Sequence, residues 1–275
     1  MLRVLLWPFR RHGSLKREPQ SAQSVPSTPY PAIRTASVKY QGHEVSYVTP
    51  NYATQWRVDT LFTKEPDTLD WISEFRAGEI LVDIGANVGM YSIWAARTRG
   101  VRVYAFEPES QNFALLYQNI VHNNLAAQVT GYCAALSDEN RFALLYLSEF
   151  VSGGSIHSFG EAIDFKLEAR RSAVTQGSVA NTLDHLVSSG AVPIPNHIKI
   201  DVDGLEHKVL KGCHDVLADG RVKSVLVELN TNLAEHRAVI PDLERLGFHY
   251  SPDQVSKSIR TAGAFTGVGN HVFRR

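Results

Sequence analysis

The feature that most constrains the fold is an apolar run that ends in an acid and a glycine-bounded turn. It reads Leu81-Val82-Asp83-Ile84-Gly85-Ala86-Asn87-Val88-Gly89, and apolar residues at helical spacing follow it. This pattern predicts a buried parallel strand that enters an α-helix through a tight loop. The two glycines permit the turn and the close approach of a ligand. We therefore expect a binding site where free N–H groups begin the helix.

The spacing of acids and glycines favours one cofactor. The loop lacks the G-x-G-x-x-G spacing that seats a pyrophosphate, and the carboxylate of Asp83 would repel a phosphate. A second strand, Val101–Phe106, ends in Glu107, about 20 residues after the loop, where an acid accepts the hydroxyls of a ribose. S-adenosylmethionine has a ribose, an amino acid group and no phosphate. The alternative interpretation is a packed turn with a surface acid.

Another predicted strand, later in the chain, carries three ionisable residues near its carboxyl end. In His197-Ile198-Lys199-Ile200-Asp201-Val202-Asp203-Gly204, the period of two places Lys199, Asp201 and Asp203 on one side near the carboxyl end. Ligands of open α/β sheets bind beyond the carboxyl ends of strands. Asp201 is therefore expected beside Gly85 and Glu107. Capping of the next helix is the competing role for both Asp203 and Asp201.

Further candidates lie on segments between the predicted strands. Ser137 and Asp138 follow a third parallel strand, Gln128–Ala134, and are expected at the same edge, near an adenine ring; Asp138 as a turn former is the alternative. Ser155 and His157 lie in a polar, mobile loop, 150–160, and are candidates for contact with substrate; a simple hairpin or lid is the alternative.

Composition and pattern bound the rest of the chain. The 275 residues suffice for one large α/β domain, 37–275, with an N-terminal hairpin and helix extension, after a basic, Ser/Pro-rich tail, 1–36. Pro50–Lys64 is interpreted as irregular, and a Gly-containing loop near 263–269 is expected to join the last two strands. Alternating strands and helices predict a three-layer, mostly parallel sheet.

Charge and cysteine content bear on partners and location. The net charge is zero, which gives no pull towards nucleic acid, and no apolar run approaches the length of a membrane span. Cys133 and Cys213 match no metal or redox pattern, so we interpret both as reduced core residues of a cytoplasmic protein. The oligomeric state has no signature in the sequence.

Together these motifs resemble the FkbM family of S-adenosylmethionine-dependent methyltransferases over roughly residues 37–275. The resemblance implies a Rossmann-like class I methyltransferase fold, an α/β sheet of seven strands with an antiparallel last strand. It implies methyl transfer, usually to oxygen, on sugars, polyketides or related metabolites. Asp203 departs from the family, which usually has Glu there. The motifs are Asp83–Gly89, Phe106–Pro108, Ala135–Asp138, Ile198–Gly204 with Glu206, Val209–Gly212, Leu226–Asn230 and Asn270–Phe273.

The resemblance suggests a role for each candidate. Asp201 is the general base or the anchor of the acceptor hydroxyl, and Lys199 orients the acceptor or stabilises an oxyanion. Asp203, Ser155 and His157 are placed with the acceptor, a small molecule or saccharide. The cofactor-binding set is Asp83, Gly85, Asn87 and Gly89 for the methionine portion, Glu107 for the ribose, and Ser137 and Asp138 for the adenine.

Rival functions stay open at this point. Asp201, Glu228 and Asn230 end two neighbouring strands and offer oxygen ligands for Mg²⁺, as in catechol-type O-methyltransferases. A nucleotide-dependent oxidoreductase on a Rossmann sheet lacks its glycine fingerprint here. A nucleic-acid methyltransferase lacks a basic face with interleaved aromatics. A non-catalytic binding protein is disfavoured by the acids at each strand end.

Overall fold

A computed structural model describes residues 33–275, so the predicted tail lies outside the described residues except for its last four positions. The domain boundary predicted at residue 37 falls within the first strand. The elements are β1 (Thr35–Tyr40), β2 (His43–Val48), α1 (Tyr52–Asp59), α2 (Pro66–Ser73), β3 (Ile80–Ile84), α3 (Met90–Arg99), β4 (Arg102–Phe106), α4 (Ser110–His122), β5 (Val129–Tyr132), β6 (Ala135–Leu136), β7 (Arg141–Leu147), β8 (Ser158–Phe159), β9 (Val174–Asn181), α5 (Leu183–Ser188), β10 (His197–Ile200), α6 (Glu206–Lys211), α7 (His214–Ala218), β11 (Ser224–Asn230), α8 (Ala234–Arg245), β12 (His249–Tyr250), α9 (Pro252–Ser258) and β13 (Val268–Arg274).

The central sheet has seven strands in the order β12-β13-β11-β10-β3-β4-β5. The last strand, β13, runs antiparallel to both of its neighbours, and the pairs from β11 to β5 are parallel. Leu81 packs in the core on one face, with side chains of α1 to α4, and Val82 packs in the core on the other, with side chains of α5 to α8. This alternation buries both faces, as the apolar runs of parallel strands require. The predicted three-layer, Rossmann-like fold is confirmed.

The segment after β5 differs from the prediction. The third parallel strand ends at Tyr132, and β6 pairs with β9 in a separate four-stranded sheet of order β6-β9-β7-β8. After Tyr132 the backbone changes partner, from β4 to β9, so that Ala135 packs with Leu145 of the small sheet while Leu136 packs in the core beneath the central sheet. In this small sheet β9 pairs with β7 in the antiparallel direction.

Two helices lie where irregular chain was predicted. Helix α1 occupies the segment interpreted as irregular, and a capping box of Asn51 and Thr54 begins it. Helix α9 lies between the last two strands; the Ser251 side chain caps it and Pro252 occupies its first turn. Their apolar periodicity is weak, so the prediction missed them although their N-terminal signals are present.

The cysteines are placed differently from each other. Cys213 is buried as expected, whereas the prediction that Cys133 lies in the core is wrong: it is exposed, between β5 at the edge of the central sheet and β6. Neither forms a disulfide. Between residues 33 and 275, no helix combines the length and the apolar character needed to cross a bilayer.

Candidate active site

A cavity of about 450 Å³ lies beyond the carboxyl ends of β3, β4 and β10. This volume falls within the range of roughly 300–1,000 Å³ that small-molecule sites occupy. Parallel strands bring their carboxyl ends to one edge, so acids far apart in the sequence converge there. The predicted site residues that line the cavity are Gly85, Asn87, Glu107, Ser137, Ser155, His157, Asp201 and Asp203.

The glycine loop is shaped by packing against the neighbouring strand end. Gly85 has a φ of 78°, and a Cβ there would overlap the carbonyl oxygen of Asp201. Gly89 also has positive φ, and a Cβ there would overlap the side chain of Leu116; Gly89 is not among the residues that line the cavity. Protein atoms therefore occupy the direction that a Cβ would take at both positions. Gly85 also lines the cavity, so the approach of a ligand to its backbone stays a prediction.

Glu107 is fixed by the loop that it faces. Its two carboxylate oxygens accept hydrogen bonds from the backbone N–H groups of Asn87 and Glu109, each at 2.8 Å. The side chain is 5% exposed, and burial raises the pKa of Glu107 to about 7. A carboxylate has about four acceptor positions, so each oxygen keeps capacity for a second donor from the cavity.

Lys199 joins two acids beneath the cavity. Its ammonium group lies 3.1 Å from an oxygen of Asp201 and 3.8 Å from one of Asp83, and the side chain is 2% exposed. Burial opposes the charge of Lys199, but the two carboxylates outweigh it and raise its pKa. Burial likewise opposes ionisation of Asp201, but Lys199 outweighs it and lowers the pKa of Asp201. At neutral pH this pair is ionised.

Asp83 does not line the cavity, contrary to the expectation of direct contact with a ligand. Its side chain is 1% exposed and accepts a 2.6 Å hydrogen bond from the hydroxyl of Ser92. Since its other oxygen faces Lys199, Asp83 acts on the cavity through that lysine.

Asp203 joins the strand end to the opposite loop. It has a φ of 58°, and its carboxylate accepts a 2.7 Å hydrogen bond from the backbone N–H of Ile156. Burial, reinforced by the charge of Asp201, raises the pKa of Asp203 to about 6. The side chain makes no cap on α6, so the helix-capping alternative is not what this geometry supports.

Glu206, in the first turn of α6, binds the backbone of the turn that precedes the helix. Its carboxylate accepts hydrogen bonds from the N–H groups of Val202 and Gly204, and burial raises the pKa of Glu206 to about 8. His236 accepts from the N–H of Asn230 at Nδ1 and donates from Nε2 to the Gly204 carbonyl. These buried contacts hold the Asp201–Gly204 turn in one shape.

The loop 151–157 is bound at several points, although a mobile loop was expected. Arg57 donates from Nε and Nη2 to the carbonyl of Gly153, at 3.0 and 2.8 Å, and Asn87 donates to the carbonyl of Gly154 at 2.7 Å. Two further side chains from α4 and the α1 cap bind its backbone, Asn112 and Asn51. The loop therefore forms a fixed wall of the cavity.

His157 lies on this wall in a defined tautomer. Its Nδ1 accepts a 3.3 Å hydrogen bond from the backbone N–H of Ser148, so the proton is on Nε2, which is buried and has no hydrogen-bond partner among residues 33–275. Burial, with the charges of Arg170 and Arg57, lowers the pKa of His157 to about 4. The ring is neutral at physiological pH and offers a donor.

Ser137 and Asp138 stay in contact, since the Ser137 hydroxyl donates a 3.2 Å hydrogen bond to the Asp138 carboxylate, but they differ in their relation to the cavity. Ser137 lines the cavity, but the carboxylate of Asp138 pairs with Lys211 at 3.1 Å and is not among the lining groups. Lys211, at the end of α6, binds the Asp138 carboxylate outside the cavity, which is why the predicted contact of Asp138 with a ligand is not supported by this geometry.

The oxygen ligands suggested for Mg²⁺ are engaged elsewhere. Glu228 lines the cavity but pairs with the guanidinium of Arg260 at 2.9 Å, and the side-chain oxygen of Asn230 accepts from the N–H of Asn232. Burial raises the pKa of Glu228 to about 8. Within residues 33–275 no cluster of three or more His, Cys, Asp or Glu side chains is arranged for a metal.

Several lining residues were missed by the sequence analysis. Trp56, Arg57 and Lys64 come from α1 and the turn after it, and the Asn51–Thr54 capping box was the available signal for that helix. Arg260 and Phe265 come from the segment between α9 and β13, where no local pattern marks them.

Comparison with known proteins identifies the family. The profile of the Methyltransferase FkbM domain matches residues 83–250. The hexuronic acid methyltransferase AglP of Haloferax volcanii is 26% identical over 74% of this chain and 77% of its own, and the 31-O-demethyl-FK506 methyltransferase FkbM of Streptomyces tacrolimicus is 30% identical over 57% and 67%. A crystal structure of methyltransferase FkbM from Methylobacillus flagellatus gives a TM-score of 0.47 at 14% identity, covering 82% of this chain and 56% of that one. The chain therefore belongs to the FkbM methyltransferase family and is a methyltransferase.

Proposed function

We propose that the enzyme transfers a methyl group from S-adenosylmethionine to a hydroxyl of a sugar, a polyketide or a related small metabolite. The observation that carries this proposal is Glu107. Its carboxylate lines the cavity at the end of β4 and is bound by the N–H of Asn87 in the glycine loop. The names of the two relatives, a hexuronic acid methyltransferase and a 31-O-demethyl-FK506 methyltransferase, support an oxygen-rich metabolite as acceptor.

The lining of the cavity suits the proposed cofactor. Glu107 has acceptor capacity left for two ribose hydroxyls. Phe106 and Leu136 offer an apolar wall, and Ser137 a hydroxyl, to a purine. The methionine portion would extend along Gly85 and Asn87. The acids at the strand ends favour a ligand that carries positive charge, whereas a pyrophosphate would meet Glu107 and Asp203.

When bound, S-adenosylmethionine supplies an electrophilic methyl group on a sulfonium. Asp201 stays ionised beside Lys199 and accepts the hydrogen bond of the acceptor hydroxyl, which orients the oxygen. Because Lys199 lowers the pKa of Asp201, the aspartate is a weak base. Asp203, with its pKa near 6, is the better acceptor of the hydroxyl proton. Lys199 acts through Asp201, since its ammonium group is buried.

The proposal is tested by binding and by transfer. Calorimetric titration of the wild-type protein with S-adenosylhomocysteine and with NAD should show binding of the first only. Asp201→Asn should keep the dissociation constant of S-adenosylhomocysteine within about threefold and, because the acceptor oxygen loses its orientation, reduce transfer of tritiated methyl to a panel of sugar and polyketide alcohols by about 100-fold. Binding of NAD without S-adenosylhomocysteine overturns the proposal, and full turnover by Asp201→Asn removes that residue from the chemistry.

A further inference from the structure

The basic side chains around the cavity differ in how their charges are compensated. Three of them have a carboxylate partner. The ammonium of Lys64 lies 2.6 Å from Glu65, that of Lys199 lies 3.1 Å from Asp201, and the guanidinium of Arg260 lies 2.9 Å from Glu228. These pairs are locally neutral, so they exert little attraction on an anion that enters the cavity.

Arg57 is the exception among the basic side chains that line the cavity in the described part of the chain. It forms no ion pair there, and its hydrogen-bonding partner is the neutral carbonyl of Gly153, which accepts from Nε and Nη2. A guanidinium has five N–H donors, so both N–H groups of Nη1 remain available. The residue is half-buried and is oriented by a carbonyl without a carboxylate in ion-pair contact, although its charge acts at longer range on Asp201 and Asp203 and favours their ionised forms.

The position of Arg57 indicates which end of a ligand it would meet. Besides the main cavity, Arg57 lines a smaller adjoining pocket of about 40 Å³ together with Gly85, Asn87 and Met90. This pocket lies at the glycine loop and the start of α3, whereas Glu107 lines only the main cavity. If S-adenosylmethionine binds with its ribose at Glu107, its amino acid end would be directed towards this pocket.

We propose that Arg57 binds a carboxylate, and that this carboxylate is that of the cofactor's methionine moiety. The inference rests on the proposed function, because it takes S-adenosylmethionine as the ligand. Charge-assisted hydrogen bonds from an arginine fork to a carboxylate are among the strongest that a site can make. Arg57 thereby links α1, the loop 151–157 and the cofactor.

The same chemistry has a second source. An acceptor with a carboxylate, such as a uronic acid, would also complement the free charge of Arg57. The two sources predict different results, because one carboxylate belongs to the cofactor and the other to the second substrate. The experiment therefore measures the two ligands separately.

The decisive measurement compares two ligands that differ by one carboxylate. S-adenosylhomocysteine and its decarboxylated analogue, S-adenosyl-3-thiopropylamine, are titrated calorimetrically into the wild-type protein, Arg57→Gln and Ser152→Ala. Arg57→Gln should weaken S-adenosylhomocysteine by about 10- to 100-fold and change the analogue by less than about threefold. Ser152→Ala is the matched control, because it removes the contact of the loop with Gln111 at 3.2 Å and leaves every charge in place; it should bind both ligands as the wild type does.

Each other outcome overturns the inference. Equal weakening of both ligands means that Arg57 acts by holding the loop. Unchanged binding of both, with loss of D-glucuronate binding to the S-adenosylhomocysteine complex and no effect on D-glucose, assigns the carboxylate to the acceptor. A wild-type protein that fails to bind S-adenosylhomocysteine refutes the proposed function itself, which is a distinguishable result.

Discussion

Replacement of Glu107 by glutamine separates ligand binding from folding. In the proposed complex the carboxylate accepts two ribose hydroxyls, and a neutral amide makes each of these hydrogen bonds weaker by about 1–1.5 kcal/mol. The dissociation constant of S-adenosylhomocysteine should therefore rise by roughly 30- to 150-fold at pH 8. One oxygen also becomes an NH₂ group, which then faces a backbone N–H of Asn87 or Glu109 and loses that hydrogen bond.

The same substitution should change the stability of the free protein little. Burial raises the pKa of Glu107 from 4.5 to about 7, which corresponds to roughly 3 kcal/mol of unfavourable free energy for the buried charge. Removing the charge recovers this free energy and offsets the lost backbone hydrogen bond, worth about 1–3 kcal/mol. Urea denaturation measures the stability and calorimetry measures the affinity.

Glu109→Gln is the matched control for Glu107→Gln. Glu109 is a fully buried acid two residues away that caps α4 through the N–H groups of Gln111 and Asn112 and does not line the cavity. Its replacement should lower the urea midpoint and leave the affinity unchanged. A folded Glu107→Gln protein that binds S-adenosylhomocysteine within about threefold of the wild type would refute the ribose assignment.

Three further results are expected. The affinity for S-adenosylhomocysteine should fall about tenfold from pH 8 to pH 6, because Glu107 takes up a proton below its pKa of about 7, and an affinity that does not change with pH in calorimetry would contradict this. The stability of the free protein should change in the opposite direction, since the contribution that depends on the raised pKa is lost as the pH rises from 4.5 to about 7. Lys199→Met should lower the free energy of unfolding, measured with urea, by about 3–5 kcal/mol, because it leaves the buried Asp83 without its cation. The double variant with Asp83→Asn should regain most of that stability, and no gain would mean that Lys199 and Asp83 are not coupled. Gly85→Ala should lower the free energy of unfolding by about 3 kcal/mol or more, because its Cβ meets the backbone of Asp201. Gly89→Ala should lower it by less, because its Cβ meets the rotatable side chain of Leu116. A lower urea midpoint for Gly89→Ala than for Gly85→Ala would contradict this reasoning.

The sequence predicted the parts of the site that depend on strand ends. Glu107 and Asp201 each follow a short predicted strand, and parallel strands must bring such residues to one edge. The helix α1 was missed because its apolar periodicity is weak, so Trp56 and Arg57 were missed with it. Asp83 was misplaced because its partner depends on the buried path of the Lys199 side chain. The pairing of Arg260 with Glu228 joins separate elements and has no local signature.

The overlap that any side chain at Gly85 would make with the Asp201 carbonyl bears on how new substrate preferences arise. The glycine loop and the Asp201–Gly204 turn are thus in direct backbone contact at the base of the cavity, so a change in one of them must be matched by a change in the other. Trp56 of α1 and Phe265 line the cavity with side chains and not with backbone, and diversification of acceptor choice, in evolution or in the laboratory, should concentrate there.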